Sequence, residues 1–471
     1  MPTFTLTNDA FAEIITPGPN DQTIQVTSGR ALVSLGARNG TAAIDSTAGD
    51  GKVISVPSGM AAYVRPYSPG QVTITPAVIT TTVGSVQSKP SGYQLFDAAA
   101  AASGLGGLFN VKPSNTAKSR AGYQRPDRNF LIACVGPSTV AGSLTANTGD
   151  AVGSWPSRFA AALQARGINA GFQNLFGARN GYGAGPTSAN LKAGDIRFDF
   201  TGAGGVATNQ PFDSVGGNVL GFNNAAGTMV FTPTAPVRKW KIWTGNGIAG
   251  RNLTASSGAS GAVAINSVAD NSITETVIDS GSSGLNALTL TWVQGNVSVL
   301  GVVGYDDTGN RREISILNWG IPGAPSARFN ENVDTARGTL AMINKVKPDV
   351  AILSDLPIND WRTSVPLLTS KANVNSNIDS FLAAGTEVWL TTSRFDNANT
   401  GFSANQQAYS DAMKELALER DLPLLDLRAS LVSYASANAQ GRYNDPVHQT
   451  LLGHNADGLF FASSFQRIMS I

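Results

Sequence analysis

The sequence predicts an α/β protein: a parallel sheet with helices on both faces, carrying a β-sandwich insertion and preceded by a separate all-β domain. Three observations predict it. A near-continuous apolar run, NFLIACVG over 129–136, has the pattern of a strand buried on both faces of a parallel sheet. From 313 onward, strand-like and helix-like segments alternate, the order that βα units impose. Between these stretches, and again over residues 1–80, short runs of alternating apolar and polar residues are separated by Gly-, Asn- and Pro-rich turns.

Residues 1–80 read as a small β domain. Its strand signals are TIQVTSG (23–29), RALVSLGA (30–37), KVISVPSG (52–59), AAYVRPYS (61–68) and QVTITPAVI (71–79), and no titratable cluster in it suggests chemistry. Residues 81–127 read as a linker, or as an arm for contacts within a homo-oligomer. TTTVGSVQSKPSG is polar and aperiodic, and KPSNTAKSRAGYQRPDR is basic and contains proline. The first part of the α/β domain covers 128–190. After its apolar strand comes a helix over 154–167, with Ser154 placed to cap it and Pro156 in its first turn. Trp155, Phe159 and Leu163 recur every four residues, and Gly167 ends it.

Residues 191–312 return to strand patterns, from FDFTG to VSVLGVVGYDD, at the spacing of a β-sandwich. They lie between two parts of the α/β pattern and so read as an insertion. The second part, 313–471, has strands at 313–320, 349–355, 386–392 and 422–427. Helices are predicted at 330–346, 402–421 and 453–468.

Composition excludes several functions. Lys+Arg is 33 and Asp+Glu 32, so the chain lacks the basic surplus that a duplex-binding protein needs. Cys134 is the single cysteine, which rules out an intrachain disulfide, and His448 and His454 are the only histidines, too few for a His-rich zinc site. No window approaches about 18 consecutive apolar residues, the length of a membrane span. The opening MPTFTLTNDAF has neither a basic n-region nor an apolar h-region, so no signal peptide is expected.

In open parallel sheets the site lies beyond the carboxyl ends of the strands. Gly136-Pro137-Ser138-Thr139-Val140-Ala141-Gly142 follows the first strand, and Ser138 there is placed as an exposed nucleophile between glycines that permit a tight turn. Trp319-Gly320-Ile321-Pro322-Gly323 follows the strand at 313–318, where a glycine lets a backbone N–H face a bound oxygen. Asn359 follows the strand at 349–356 and offers an amide donor, although Asn also caps helices constantly. Asp445 stands three residues before His448, a spacing that lets the carboxylate orient the imidazole as general base. His454, at the start of the last helix, reads as a packing residue.

Taken together, Ser, Gly, Asn and Asp-x-x-His in this order and placement resemble the SGNH (GDSL-like) hydrolase superfamily, over roughly 128–190 and 313–471. The resemblance implies an SGNH-type sheet and a carboxylic-ester hydrolase needing no cofactor. Its catalytic set would be Ser138, Asp445 and His448, with an oxyanion hole of Ser138, Gly323 and Asn359. The first block departs from the usual Gly-Asp-Ser at Pro137, and the third from Gly-x-Asn-Asp at Pro357. The β insertion and the β domain in front are similar to those of SGNH proteins encoded by bacteriophages. That architecture implies a virion component made in the host cytoplasm, attached to other virion proteins through residues 1–80 and acting on an acetylated surface glycan. A glycan-binding virion protein with a degenerate hydrolase domain, or a cellular carbohydrate esterase, are the alternatives.

Overall fold

A computed structural model of the chain describes residues 107–125, 128–142, 151–176, 195–199, 227–246, 249–295, 297–308, 313–331, 338–397 and 406–470 with their side chains. Val215 is also described with its side chain, and for parts of 1–80 and 200–222, and for 150 and 403–405, strand or helix backbone alone is given. The chain divides into two units, 1–108 and 109–471.

In the first unit eight strands pair in two antiparallel sheets. One has the order Phe4–Leu6, Val72–Val78, Gln22–Ser28, Val53–Val56, and the other Ala12–Ile15, Ala62–Pro66, Ala31–Leu35, Ala43–Ala48.

The second unit is organised by a parallel sheet. Its strands run in the order Ala170–Gly171, Ile314–Gly320, Phe130–Gly136, Val350–Leu353, Glu387–Thr391, Leu424–Leu425. Alternate residues face opposite ways, so each face needs its own cover. Ala133, Val135, Leu317, Trp319, Leu353 and Leu390 share one core with the helices Thr339–Val346, Leu367–Ala383 and Ser403–Glu419. On the other face Phe130 and Trp389 meet Phe465 of the last helix, Leu451–Met469. That helix packs on Trp155–Gln164 through a Trp155–Phe461 stack with ring centroids 4.0 Å apart.

The expected linker over 81–127 is folded from Phe109 onward; residues 81–106 lie outside the described residues. Ala117–Tyr123 is a helix whose Tyr123 ring packs edge-on against Phe465. The Asn110 amide donates to the carbonyls of Ala417 and Leu422, and the Ser119 N–H donates to Glu387 Oε2. These contacts make 109–125 part of the α/β body.

Two antiparallel sheets lie between the first and second parts of the α/β pattern. One has the order Asn174–Phe176, Val297–Tyr305, Val237–Asn246, Ser272–Gly284. The other has Phe198–Thr201, Thr228–Phe231, Leu288–Gln294, Asn252–Ser257, Val263–Asn266. Both contribute to one apolar core: Trp240, Ile242, Ile278 and Val302 from the first, Met229, Phe231, Leu253 and Leu290 from the second. None of these strands enters the parallel sheet. The chain leaves and returns at adjacent points: the Gly304 N–H donates to the Gln173 carbonyl, and the Ile314 N–H to that of Asn169. The buried Asn174 side chain holds the junction, donating to the Ile316 carbonyl and accepting the Asn318 N–H. These sheets therefore begin at Asn174, inside the segment 128–190 expected to belong wholly to the α/β part.

Candidate active site

Ser138 opens a one-turn helix, Ser138–Ala141, directly after the Phe130–Gly136 strand. Two glycines make this possible. A Cβ on Gly136 would lie 2.1 Å from the Ser354 carbonyl oxygen, and one on Gly320 2.2 Å from the Ala141 nitrogen. Any side chain there would lift the turn off the sheet. Pro137 sits just before the helix in extended backbone, and its carbonyl accepts the N–H groups of Val140 and Ala141. Proline has no N–H to satisfy, so it fits here. Gly142 closes the turn at φ 90°.

Facing this turn, residues 444–449 form a tight loop closed by Asn444 N–H to the His448 carbonyl. Asp445 organises this loop. Its Oδ1 accepts the N–H groups of Val447 and His448, each at 2.7 Å, and its Oδ2 lies 2.7 Å from His448 Nδ1. His448 Nε2 lies 2.9 Å from Ser138 Oγ. An ionised carboxylate only accepts, so Nδ1 carries the ring proton and Nε2 is left to accept from the serine hydroxyl. Partial burial of Asp445 raises its carboxyl pKa, but the His448 backbone and ring and the Val447 N–H outweigh it, and the pKa is lowered. Ser138 is 3% exposed and His448 8%, so the serine expected to be exposed is buried with its partner.

Gly323 lies in the turn after Ile314–Gly320 with φ 74°, in the left-handed region, and a Cβ there would meet nothing within 4 Å. Asn359 is the second residue of the helix Ile358–Arg362, and its Nδ2 donates to the Ala324 carbonyl at 2.9 Å. The amide is thus tied to the residue after Gly323. Its neighbour Asp360, fully buried, accepts the Ser326 N–H and the Ser370 hydroxyl, anchoring this helix to the same segment.

The remaining histidine does not join this group. His454 is fully buried, and burial, reinforced by the charge of Arg394, pushes its pKa well down. Its Nδ1 accepts the Trp155 N–H at 3.1 Å. That N–H opens the helix Trp155–Gln164, so His454 caps it where Ser154 was expected to. The Ser154 hydroxyl instead donates to the Ala151 carbonyl and accepts from Asn318. Sequence reasoning missed a buried group behind the pair: Asp355, Arg394 and Asp457. Among the described residues, no cluster of three or more His, Cys, Asp or Glu side chains could hold a metal ion.

This geometry is joined by a match in sequence. The family model of the GDSL-like Lipase/Acylhydrolase family matches residues 271–456, so the chain carries a GDSL-like (SGNH) hydrolase domain. The matched stretch contains Gly323, Asn359, Asp445 and His448 but starts well after Ser138. Among solved structures the chain is similar to a peptidoglycan O-acetylesterase, with 13% identity and a TM-score of 0.56 over 76% of this chain and 96% of that one. A lipase/acylhydrolase from Enterococcus faecalis has 18% identity and a TM-score of 0.26 over 33% and 77%. A family two carbohydrate esterase from Cellvibrio japonicus has 11% identity and a TM-score of 0.25 over 59% and 96%. No curated protein sequence matches the chain.

Proposed function

We propose that this protein is a serine esterase that removes O-acetyl, or similarly small acyl, groups from a bacterial surface polysaccharide. One observation carries the reading: the unbroken relay from Asp445 Oδ2 through His448 to Ser138 Oγ, with contacts of 2.7 and 2.9 Å. His448 takes the Ser138 proton as the oxygen attacks the ester carbonyl, and Asp445 stabilises the imidazolium that forms. We assign the oxyanion to the N–H groups of Ser138 and Gly323 and to the Asn359 amide, whose second hydrogen is not needed by Ala324. His448 then protonates the leaving alcohol, and water hydrolyses the acyl-enzyme. The assigned chemistry calls for no cofactor.

The glycan part of the reading is supported by the fold likeness to a peptidoglycan O-acetylesterase. It extends over 76% of this chain, more than the α/β segments alone supply. Pro137 leaves the Ser138–His448 contact in place, which favours an enzyme over a domain that only binds glycan. We further read residues 1–80 as an attachment module to other proteins of a phage virion, a reading that rests on domain order; immunogold labelling of phage particles tests it. The esterase reading is tested with the purified full chain on a chromogenic acetate ester and on O-acetylated peptidoglycan. Wild type should release acetate and Ser138→Ala should not. An inert wild type, or equal turnover by both, would overturn it.

A further inference from the structure

Three buried ionisable groups outside the assigned mechanism stand one residue away from the reacting pair. Asp355 and Arg394 are fully buried and Asp457 is 2% exposed. Arg394 donates through Nε to Asp355 Oδ2 at 2.5 Å, through its backbone N–H to Asp355 Oδ1 at 2.8 Å, and through Nη1 to Asp457 Oδ2 at 2.5 Å. Each end of this triad reaches the site. The Thr139 hydroxyl, next to Ser138, donates to Asp355 Oδ2 at 3.0 Å. The Gln449 amide, next to His448, donates to Asp457. An unbroken chain of charged and polar contacts thus joins the residue after the nucleophile to the residue after the general base.

Stability alone is a poor account of this arrangement. Burying two carboxylates and a guanidinium carries a large desolvation cost, and apolar side chains of similar volume often serve a core as well or better. A costly, fully buried network that ends on both sides of a reacting pair fits a positioning role.

We propose that Asp355, Arg394 and Asp457 are positioning residues that, through Thr139 and Gln449, hold the turn carrying Ser138 and the loop carrying His448 at a fixed separation. This rests on the esterase reading, since it assigns the network to keeping Oγ and Nε2 at reacting distance before substrate arrives. Arg394 is unsuited to a first test, because its loss would leave two uncompensated buried carboxylates. Thr139→Val and Gln449→Leu each cut one end and leave the ion triad intact.

The experiment compares the full chain with Thr139→Val, Gln449→Leu, the double variant and Thr139→Ser. It follows chromogenic ester turnover, covalent labelling of Ser138 by a fluorophosphonate, and thermal unfolding. Each single cut should lower kcat about tenfold, because small misplacements of reacting groups are costly. KM should change less than twofold, the thermal midpoint by a few degrees, and the apparent pKa of kcat/KM not at all. Labelling should slow in step with kcat. Thr139→Ser should restore both rates. The double variant should lose less than the product of the single losses, because either cut already releases the pair.

Full kcat and labelling in a folded Thr139→Val or Gln449→Leu would overturn the inference and leave the esterase reading standing. So would a change in KM alone, multiplicative losses, or failure of Thr139→Ser to rescue. Loss of fold in both single variants would assign the network to structure instead. A wild type that neither turns over ester nor takes the label would overturn the esterase reading and this inference together.

Discussion

The paired antiparallel sheets and the carboxyl rim of the parallel sheet bury polar groups of different kinds. Within 227–305 the buried polar side chains are Thr244, Asn246, Ser257, Ser267 and Ser280, hydroxyls and one amide with no charge among them. Around the ends of the parallel strands lie buried Asp355, Asp360, Arg394, Asp396, Asp426, His448 and Asp457. A charge is expensive to bury unless it is paired and hydrogen-bonded. The antiparallel region takes that cost on once among its described residues, in the buried Asp195–Arg197 ion pair whose guanidinium lies over the Phe231 ring, and is otherwise stabilised by apolar packing. The rim takes it on repeatedly, and the Ser138–His448 pair sits among those charges. Buried charge is thus densest at the carboxyl rim, where Ser138 and His448 meet, and sparse between the antiparallel sheets.

That contrast can be broken by one substitution on each side. Ser138→Ala removes a hydroxyl with little volume and should cut kcat on the chromogenic ester by about 10⁴–10⁶. Its thermal midpoint should stay near wild type. Phe231→Ala in the antiparallel core should do the reverse. Phe231 is fully buried and packs edge-on against Phe198 and Trp240. Its truncation should cost about 3–5 kcal/mol of stability, read by denaturant melts. The kcat of the molecules that remain folded should be unchanged on the same ester. A large loss of kcat in folded Phe231→Ala would mean that the antiparallel sheets shape the site.

Asn359→Ala tests the rim with a smaller expected effect. If the amide meets charge that develops only in the transition state, kcat should fall about 10²–10³-fold with KM little changed. Wild-type kcat in the variant would leave Asn359 with its contact to the Ala324 carbonyl alone, a structural tie.

The same contrast explains what could be read in advance. The Phe130–Gly136 strand was legible because a strand covered on both faces is apolar at every position. The meeting of Ser138, Asp445 and His448 was legible because each follows a strand or lies in the last loop, and the Asp-x-x-His spacing is local. The helix Leu367–Ala383 was missed. Its inward positions are Ser370, Val374, Asn377, Ile378 and Phe381, so two of the five are polar and the period is hidden. Asp355, Arg394 and Asp457 could not be paired from sequence, because 39 residues separate the first two and 63 the last two. The insertion has a similar effect on Ser138. About 180 residues separate it from Gly323, counting along the chain, and the family match begins at 271 without it.

A further prediction concerns the opposite end of the Ile314–Gly320 strand, where the chain returns from the antiparallel sheets. Glu313 is 5% exposed there. The Asp306 N–H donates to its Oε2 at 3.0 Å and the Ser315 hydroxyl to its Oε1 at 3.3 Å. Gly171 makes room for it, since a Cβ at that position would lie 2.2 Å from Oε1. Burial pushes the Glu313 carboxyl from about 4.5 up to about 8, against the two hydrogen bonds, and the nearby Asp306 charge adds to the rise. The folded protein therefore holds this proton more tightly than the unfolded chain does. The resulting stabilisation is complete below about pH 4.5 and is lost as pH rises through about 8. Glu313→Gln should remove that dependence. The thermal midpoint of wild type should fall between pH 5 and pH 9 relative to the variant, by a difference on the order of a few kcal/mol in stability. Asp445, with its lowered pKa, acts in the other direction and only in acid, so the two do not overlap. Because Glu313 lies at the amino end of its strand, kcat measured where both proteins are folded should show the same pH profile in each. Parallel melting curves across this pH range would assign the alkaline loss to another group, and a shifted kcat profile would show that the junction and the rim are coupled through the strand that joins them.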